Sequence, residues 1–136
     1  MSLAAAPTGA VVLAGCLRNA RAVAEAAQRA GGTFNVIPAG ERWRDGSLRP
    51  ALEDALGAGA ILSCLPGPRS PEAEAAVAIF ERYRDDLVTT LDACGSGREL
   101  DERGHPDDKF IAGQLDVSCC VPRLDAIAFV DGRAGS

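Results

Sequence analysis

The order of apolar and polar positions divides the chain into alternating extended and helical stretches. Residues 11–15 (Val11, Val12, Leu13, Ala14 and Gly15) form an unbroken apolar run closed by glycine. Such a run predicts a strand buried on both faces. Over 18–30 the period lengthens. Ala20, Val23, Ala24, Ala27 and Ala30 recur at helical spacing, and Gly31 and Gly32 stop the helix. Residues 34–37 read as a second short strand, halted by Pro38, Ala39 and Gly40. Strand, helix and strand in this order predict a βαβ unit, with a parallel pair and a right-handed crossover.

Residues 41–48 form a polar loop holding the only tryptophan, Trp43. The loop follows the carboxyl end of a predicted strand, where open α/β sheets bind ligands. A helix is expected over 49–60, and 61–65 either continues it or forms a short strand. Pro66, Gly67 and Pro68 break the chain. Ser70, Pro71 and Glu72 then open a long helix, with a hydroxyl N-cap, proline at the first position and an acid against the dipole. Its apolar stripe runs through Ala75, Ala76, Ile79, Phe80, Tyr83, Leu87 and Leu91. Residues 94–97 read as a tight Gly/Ser turn, 98–104 and 107–116 as two short helices, and 117–130 as closing strands. The expected fold class is α/β: a layered α/β/α arrangement with a mainly parallel or mixed sheet. It forms a single domain over 10–130, between a flexible leader at 1–9 and a flexible tail at 131–136.

Composition narrows the function classes. A chain of 136 residues can bury a core without disulfides or a structural metal. Alanine is abundant and aromatics are only 4%, so the core is built from small, close-packed residues, as where helices lie on a sheet. The basic residues are arginines except for Lys109, a bias read as base composition. Net charge is -5, and no Lys/Arg cluster with interleaved aromatics occurs. That pattern excludes a nucleic-acid partner, whose phosphates require a basic face. No apolar run approaches the roughly 18 residues a membrane span needs, and no signal-peptide pattern opens the chain. No membrane partner is expected, and the expected location is cytoplasmic. The five cysteines, Cys16, Cys64, Cys94, Cys119 and Cys120, are odd in number and lack CxxC spacing. They are expected to be reduced, buried thiols acting as small hydrophobes.

Three clusters carry candidate chemistry. Cys16, Leu17, Arg18 and Asn19 lie between a strand and a helix N-terminus, where free N–H groups attract anions and Arg18 adds a clamp. The plain alternative is an Asn N-cap beside a solvated arginine. Glu41 closes the second predicted strand, and Glu53 and Asp54 sit on the next helix. Carboxylates from two elements can hold a hard cation such as Mg²⁺, although neighbouring helical acids point about 100° apart, so one of the two faces the site. The alternative is a solvated acidic face. Gly97 and Arg98 belong to a turn that presents backbone donors to an anion, or simply connects two helices. His105 is expected to be an exposed loop residue and completes no Ser-His-Asp set. Asp107, Asp108 and Asp116 read as helix caps or surface acids.

Taken together and in order, these segments resemble a known family. Residues 12–24, with Gly15, Cys16, Leu17, Arg18, Asn19 and Ala20 at their centre, are similar to a marker segment of the 2-phosphosulfolactate phosphatase family. So are Pro38-Ala39-Gly40-Glu41, Leu52-Glu53-Asp54 followed by Gly57-Ala58-Gly59-Ala60, and Ser96-Gly97-Arg98-Glu99-Leu100. Gly104, Asp107-Asp108, Leu115-Asp116 and Val121-Pro122 continue the series. The resemblance covers about 11–129 and looks like the C-terminal half of the family protein, with an N-terminal half lacking its counterpart here. It implies an α/β fold and a Mg²⁺-dependent phosphatase converting 2-phospho-3-sulfolactate, a small anionic phosphorylated substrate, to sulfolactate and phosphate on the way to coenzyme M. Carried over by position, Glu41, Glu53 and Asp54 become catalytic candidates, with Glu41 and Asp54 at the metal. Arg18, Asn19, Gly97 and Arg98 become substrate-binding candidates. The other reading is a truncated, non-catalytic α/β module that binds anions or serves as an interaction domain. A truncated sheet edge favours pairing with another copy, so a homo-oligomer is also expected.

Overall fold

The computed structural model describes residues 9–132. The expected leader lies outside these residues except for Gly9, and the expected tail except for Asp131 and Gly132. The chain is a mixed helix and strand domain in which helices dominate. A 3₁₀ turn over Leu17–Asn19 runs into α1 (Ala20–Ala30). A short hairpin follows, β1 (Glu41–Arg42) and β2 (Leu48–Arg49), then α2 (Leu52–Ser63). Next come α3 (Pro71–Tyr83), a 3₁₀ turn at Arg84–Asp86 and α4 (Leu87–Ala93). The chain continues through α5 (Gly95–Glu102) and α6 (Asp108–Ala112) to a hairpin of β3 (Pro122–Asp125) and β4 (Ala128–Asp131).

The centre of the fold is α2, and its sequence explains why. Leu56, Gly57, Ala58, Gly59, Ala60 and Ile61 are all buried, so this helix is apolar all round, as an enclosed helix must be. It packs on α1 on one side and on α3 on the other. Leu56 is fully buried, beside Leu17, Val23, Ala24 and Ala60 and the aromatic Phe80 of α3. The small residues let the helices close in. A Cβ on Gly59 would lie 2.2 Å from the Ala76 carbonyl oxygen and 2.7 Å from Phe80 Cβ. The end of α2 is capped from outside, since Arg69 donates to the Leu62 and Leu65 carbonyls at 3.1 and 3.4 Å.

Several expectations change here. Residues 61–63 continue the helix rather than forming a strand. The long helix is broken at Arg84–Asp86, because the polar Arg84, Asp85 and Asp86 interrupt the stripe and Leu87 and Leu91 are buried on a new helix. The polar loop at 41–48 is a tight hairpin, paired Glu41 to Arg49 and Arg42 to Leu48. The Gly/Ser turn at 94–97 is itself the first turn of α5, with Cys94 Sγ accepting from the Gly97 N–H at 3.4 Å.

The parallel βαβ pair does not form among the described residues. Among the described residues the only ladders are antiparallel, β1 with β2 and β3 with β4. Residues 12–14 lie antiparallel to β3 through the Leu13–Arg123 bridge, with bonds from Ala14 N to Pro122 O and from Leu124 N to Val12 O, each 2.9 Å. Residues 34–37 show strand-like alternation, with Phe34 and Val36 half-buried against the helical core and Asn35 and Ile37 exposed. Among the described residues they have no ladder partner, so the alternation expected there exists without a sheet. The cysteines are free thiols as expected, but none is fully buried: Cys16 and Cys119 are exposed and the other three half-buried.

Candidate functional site

The turn at Leu17–Asn19 is built around one buried amide. Asn19 Oδ1 accepts from the Cys16 N–H at 2.8 Å, while Asn19 Nδ2 donates to the Cys120 carbonyl at 3.0 Å and the Ala14 carbonyl at 3.4 Å. Asn19 is buried, so these bonds also satisfy an amide that would be costly to leave unpaired. Asn19 thus fixes the turn from behind and ties it to the segment before β3. The first N–H groups of a helical segment have no intrahelical acceptor, and those of Leu17 and Arg18 find none among the described residues.

A cleft of about 350 Å³ opens in front of this turn, lined by Cys16, Leu17 and Arg18, by Glu53 and Asp54 of α2, by Leu91, and by Asp108, Ile111 and Ala112 of α6. Arg18 Nη1 donates to the Ile111 carbonyl at 2.9 Å and to Gln114 Oε1. Both acceptors are neutral, and no carboxylate pairs with Arg18 among the described residues. The guanidinium is therefore held in place with its charge uncompensated. Glu53 and Asp54 occupy the first turn of α2, where the helix dipole favours acids. Asp54 Oδ2 accepts from the Gly40 N–H at 2.8 Å. Glu53 Oε2 is buried and has no hydrogen-bond partner among the described residues. A carboxylate oxygen in that position calls for a proton or a cation.

The other sequence candidates lie elsewhere. Glu41 is exposed on β1 and does not line the cleft, although the Gly40–Asp54 bond ties its backbone neighbour to a cleft acid. Arg98 is exposed, and its Nη1 returns to the Ala93 carbonyl at 3.2 Å. Gly97 is buried where a Cβ would stand 1.9 Å from the Leu91 carbonyl oxygen, so its bareness serves the α4–α5 junction. Among the described residues no three His, Cys, Asp or Glu side chains gather closely enough to hold a metal. Two carboxylates, one of them with an orphaned oxygen, suit at most a cation that keeps several waters and takes its remaining ligands from a phosphate.

Sequence reasoning missed α6 as a cleft wall and missed what anchors it. Lys109 is buried, with Nζ donating to both Asp101 oxygens at 2.6 and 2.8 Å and pairing with Asp92. One ammonium thus clamps α6 to both α4 and α5, and α6 carries the carbonyl that holds Arg18. The signal available in the sequence was a lone lysine among arginines. The hydrogen bonds that Lys109 donates to Asp101 and Asp92 hold its pKa above its ordinary value. A raised value of this kind stabilises fully at neutral pH and is lost only as pH rises through it, beyond the ordinary lysine range near 10.5. Lys109→Met should therefore lower the melting temperature at pH 7, where it leaves two acids without their cation, and shrink the loss of stability between pH 7 and 11. Parallel melts at the two pH values check this. On the opposite flank, Arg49 stacks on Trp43 at 5.2 Å and pairs with Glu99 at 2.8 Å, which fastens the β1–β2 hairpin to α5.

Fold and cleft together define a mixed helix and strand domain with an arginine and three acids, Glu53, Asp54 and Asp108, lining one cleft. The chain belongs to the 2-phosphosulpholactate phosphatase family, whose model matches residues 2–126. A protein of Gloeobacter violaceus named probable 2-phosphosulfolactate phosphatase is 35% identical over 85 residues, 62% of this chain and 36% of its own. One of the same name from Thermosynechococcus vestitus is 33% identical over 121 residues, 82% of this chain and 48% of its own. The chain spans less than half the length of these relatives. No helix among the described residues is long and apolar enough to cross a membrane.

Proposed function

We propose that this chain carries the anion- and metal-binding cleft of a Mg²⁺-dependent 2-phosphosulfolactate phosphatase, within a layered α/β/α architecture. The observation that carries the reading is the meeting of Arg18, Glu53 and Asp54 in one cleft, in a chain of this family. The substrate bears phosphate, carboxylate and sulfonate, whereas the chain is net acidic at -5. Local positive charge must therefore come from fixed guanidinium groups, backbone donors and a divalent cation. The uncompensated Arg18 and the free Leu17 and Arg18 N–H groups bind the phosphoryl oxygens. Asn19 keeps those donors in line from behind. Glu53, through Oε2, and Asp54, through the oxygen not given to Gly40, would hold the cation. Glu41 has no such position in the cleft and is left out of the donor set.

When bound, Mg²⁺ supplies Lewis-acid charge to the phosphoryl group. Water then attacks phosphorus, the ester P–O bond breaks, and the alkoxide of sulfolactate leaves with a proton as phosphate is released. Arg18 and the turn stabilise charge that grows on the phosphoryl oxygens, a contribution larger in the transition state than in the bound substrate. Activity of this kind places the protein on the way to coenzyme M.

The test is phosphate release from 2-phospho-3-sulfolactate with and without Mg²⁺. Mg²⁺-dependent release that falls at least ~100-fold in Glu53→Gln and Asp54→Asn supports the reading, since removing a preorganised charge typically costs 10²–10³ in rate. Release unaffected by either substitution overturns the site. Bound inorganic phosphate without any release identifies instead a non-catalytic anion-binding module.

A further inference from the structure

Residues 33–37 alternate as a strand does, yet no ladder pairs with them among the described residues. Phe34 and Val36 pack half-buried against the helical core while Thr33, Asn35 and Ile37 face out, the period-2 alternation of a sheet strand on a helical layer. None of the backbone groups of residues 33–37 has a hydrogen-bond partner among the described residues. Natural edge strands are normally blunted by charge, proline or a covering element, yet Thr33, Phe34, Asn35, Val36 and Ile37 carry neither charge nor proline. Ile37 is 59% exposed. More than half of each relative lies outside its match to this chain.

We infer that residues 33–37 are the acceptor edge for a β-strand contributed by the portion of the family polypeptide that this chain does not span. The occupant is an extended segment with alternating apolar residues, so that its inward side chains continue the Phe34–Val36 row over the helical core. Main-chain hydrogen bonds supply affinity and the apolar row sets the register. The inference rests on family membership and not on catalysis, and its readout does not involve turnover, so the phosphatase reading and this one fail separately.

The experiment is amide-resolved hydrogen exchange on the full 136-residue chain, alone and co-expressed with the part of the Thermosynechococcus vestitus relative outside the 121 matched residues. The expected result is rapid exchange at 33–37 in the isolated chain, one-to-one co-purification, and at least tenfold slower exchange of alternate amides in the complex. Alternate amides point to opposite edges, so the protected set identifies the edge in use. Asn35→Pro for the odd set, or Val36→Pro for the even set, then abolishes co-purification, whereas Asn35→Ala, which keeps its N–H, does not. Failure to co-purify overturns the inference. So does a complex without slowed exchange at 33–37, or protection already present in the isolated chain through pairing with a second copy.

Discussion

Gly59→Ala is expected to lower the melting temperature by about 7 °C, while Gly57→Ala two residues earlier leaves it unchanged or raises it. Both glycines are buried on the central helix α2, and both substitutions gain intrinsic helix propensity of about 1 kcal/mol. Space separates them. At Gly59 the new methyl would meet the Ala76 carbonyl oxygen at 2.2 Å and Phe80 Cβ at 2.7 Å. Neither is the tip of a flexible side chain, so α3 must move away from α2. Overpacking of this kind typically costs about 1–3 kcal/mol, and a backbone obstacle puts it at the upper end. Set against the propensity gain, the net loss is roughly 2 kcal/mol, which corresponds to about 7 °C in a domain of this size. At Gly57 the nearest atoms are Cys16 Cα at 3.7 Å and Leu17 N at 3.8 Å, which is ordinary contact. Thermal melts of the two variants decide the matter, and equal shifts would refute the proposed close approach of α2 and α3.

The second large effect concerns Arg18. Arg18→Gln is expected to weaken inorganic phosphate binding about 10–100-fold by titration calorimetry, the value of a charge-assisted hydrogen bond worth about 1.5–3 kcal/mol. Arg98→Gln is expected to change it less than about twofold, because Arg98 is exposed and bonded to its own helix junction. Arg18→Lys should restore little, since the planar fork that serves Ile111 and Gln114 while keeping donors free has no ammonium equivalent. Comparable losses in the Arg18 and Arg98 variants would show that the cleft is not the anion site.

These expectations also mark where sequence reasoning stopped. Ser70 and Pro71 opened α3 as expected, with the Ala73 N–H bonded to Ser70 Oγ, because capping is decided within four residues. Gly31 and Gly32 ended α1 for the same local reason. Pairing of strands is not local. The run at 11–15 was legible as extended, but its partner is β3, more than a hundred residues on. Residues 34–37 kept their alternation without a ladder partner among the described residues. The cleft was legible by half: Arg18, Glu53 and Asp54 meet there, whereas Glu41 and Arg98 lie on other surfaces. Gly97 matched a phosphate-turn pattern, yet it is buried to admit a carbonyl. Asp108 and Ile111 could not be assigned, because their place depends on where Lys109 anchors a five-residue helix.

The burial of that lysine has a practical corollary. Lys109 is the only lysine in the chain, so every other basic side chain is a guanidinium or the lone imidazole. Amine-directed acylation, carbamylation and crosslinking find no exposed side-chain target on the described surface. Modification of Lys109 Nζ must await release of α6 from Asp92 and Asp101. Its labelling rate is thus a native-state clock for local opening of the cleft wall, readable by mass spectrometry at one position.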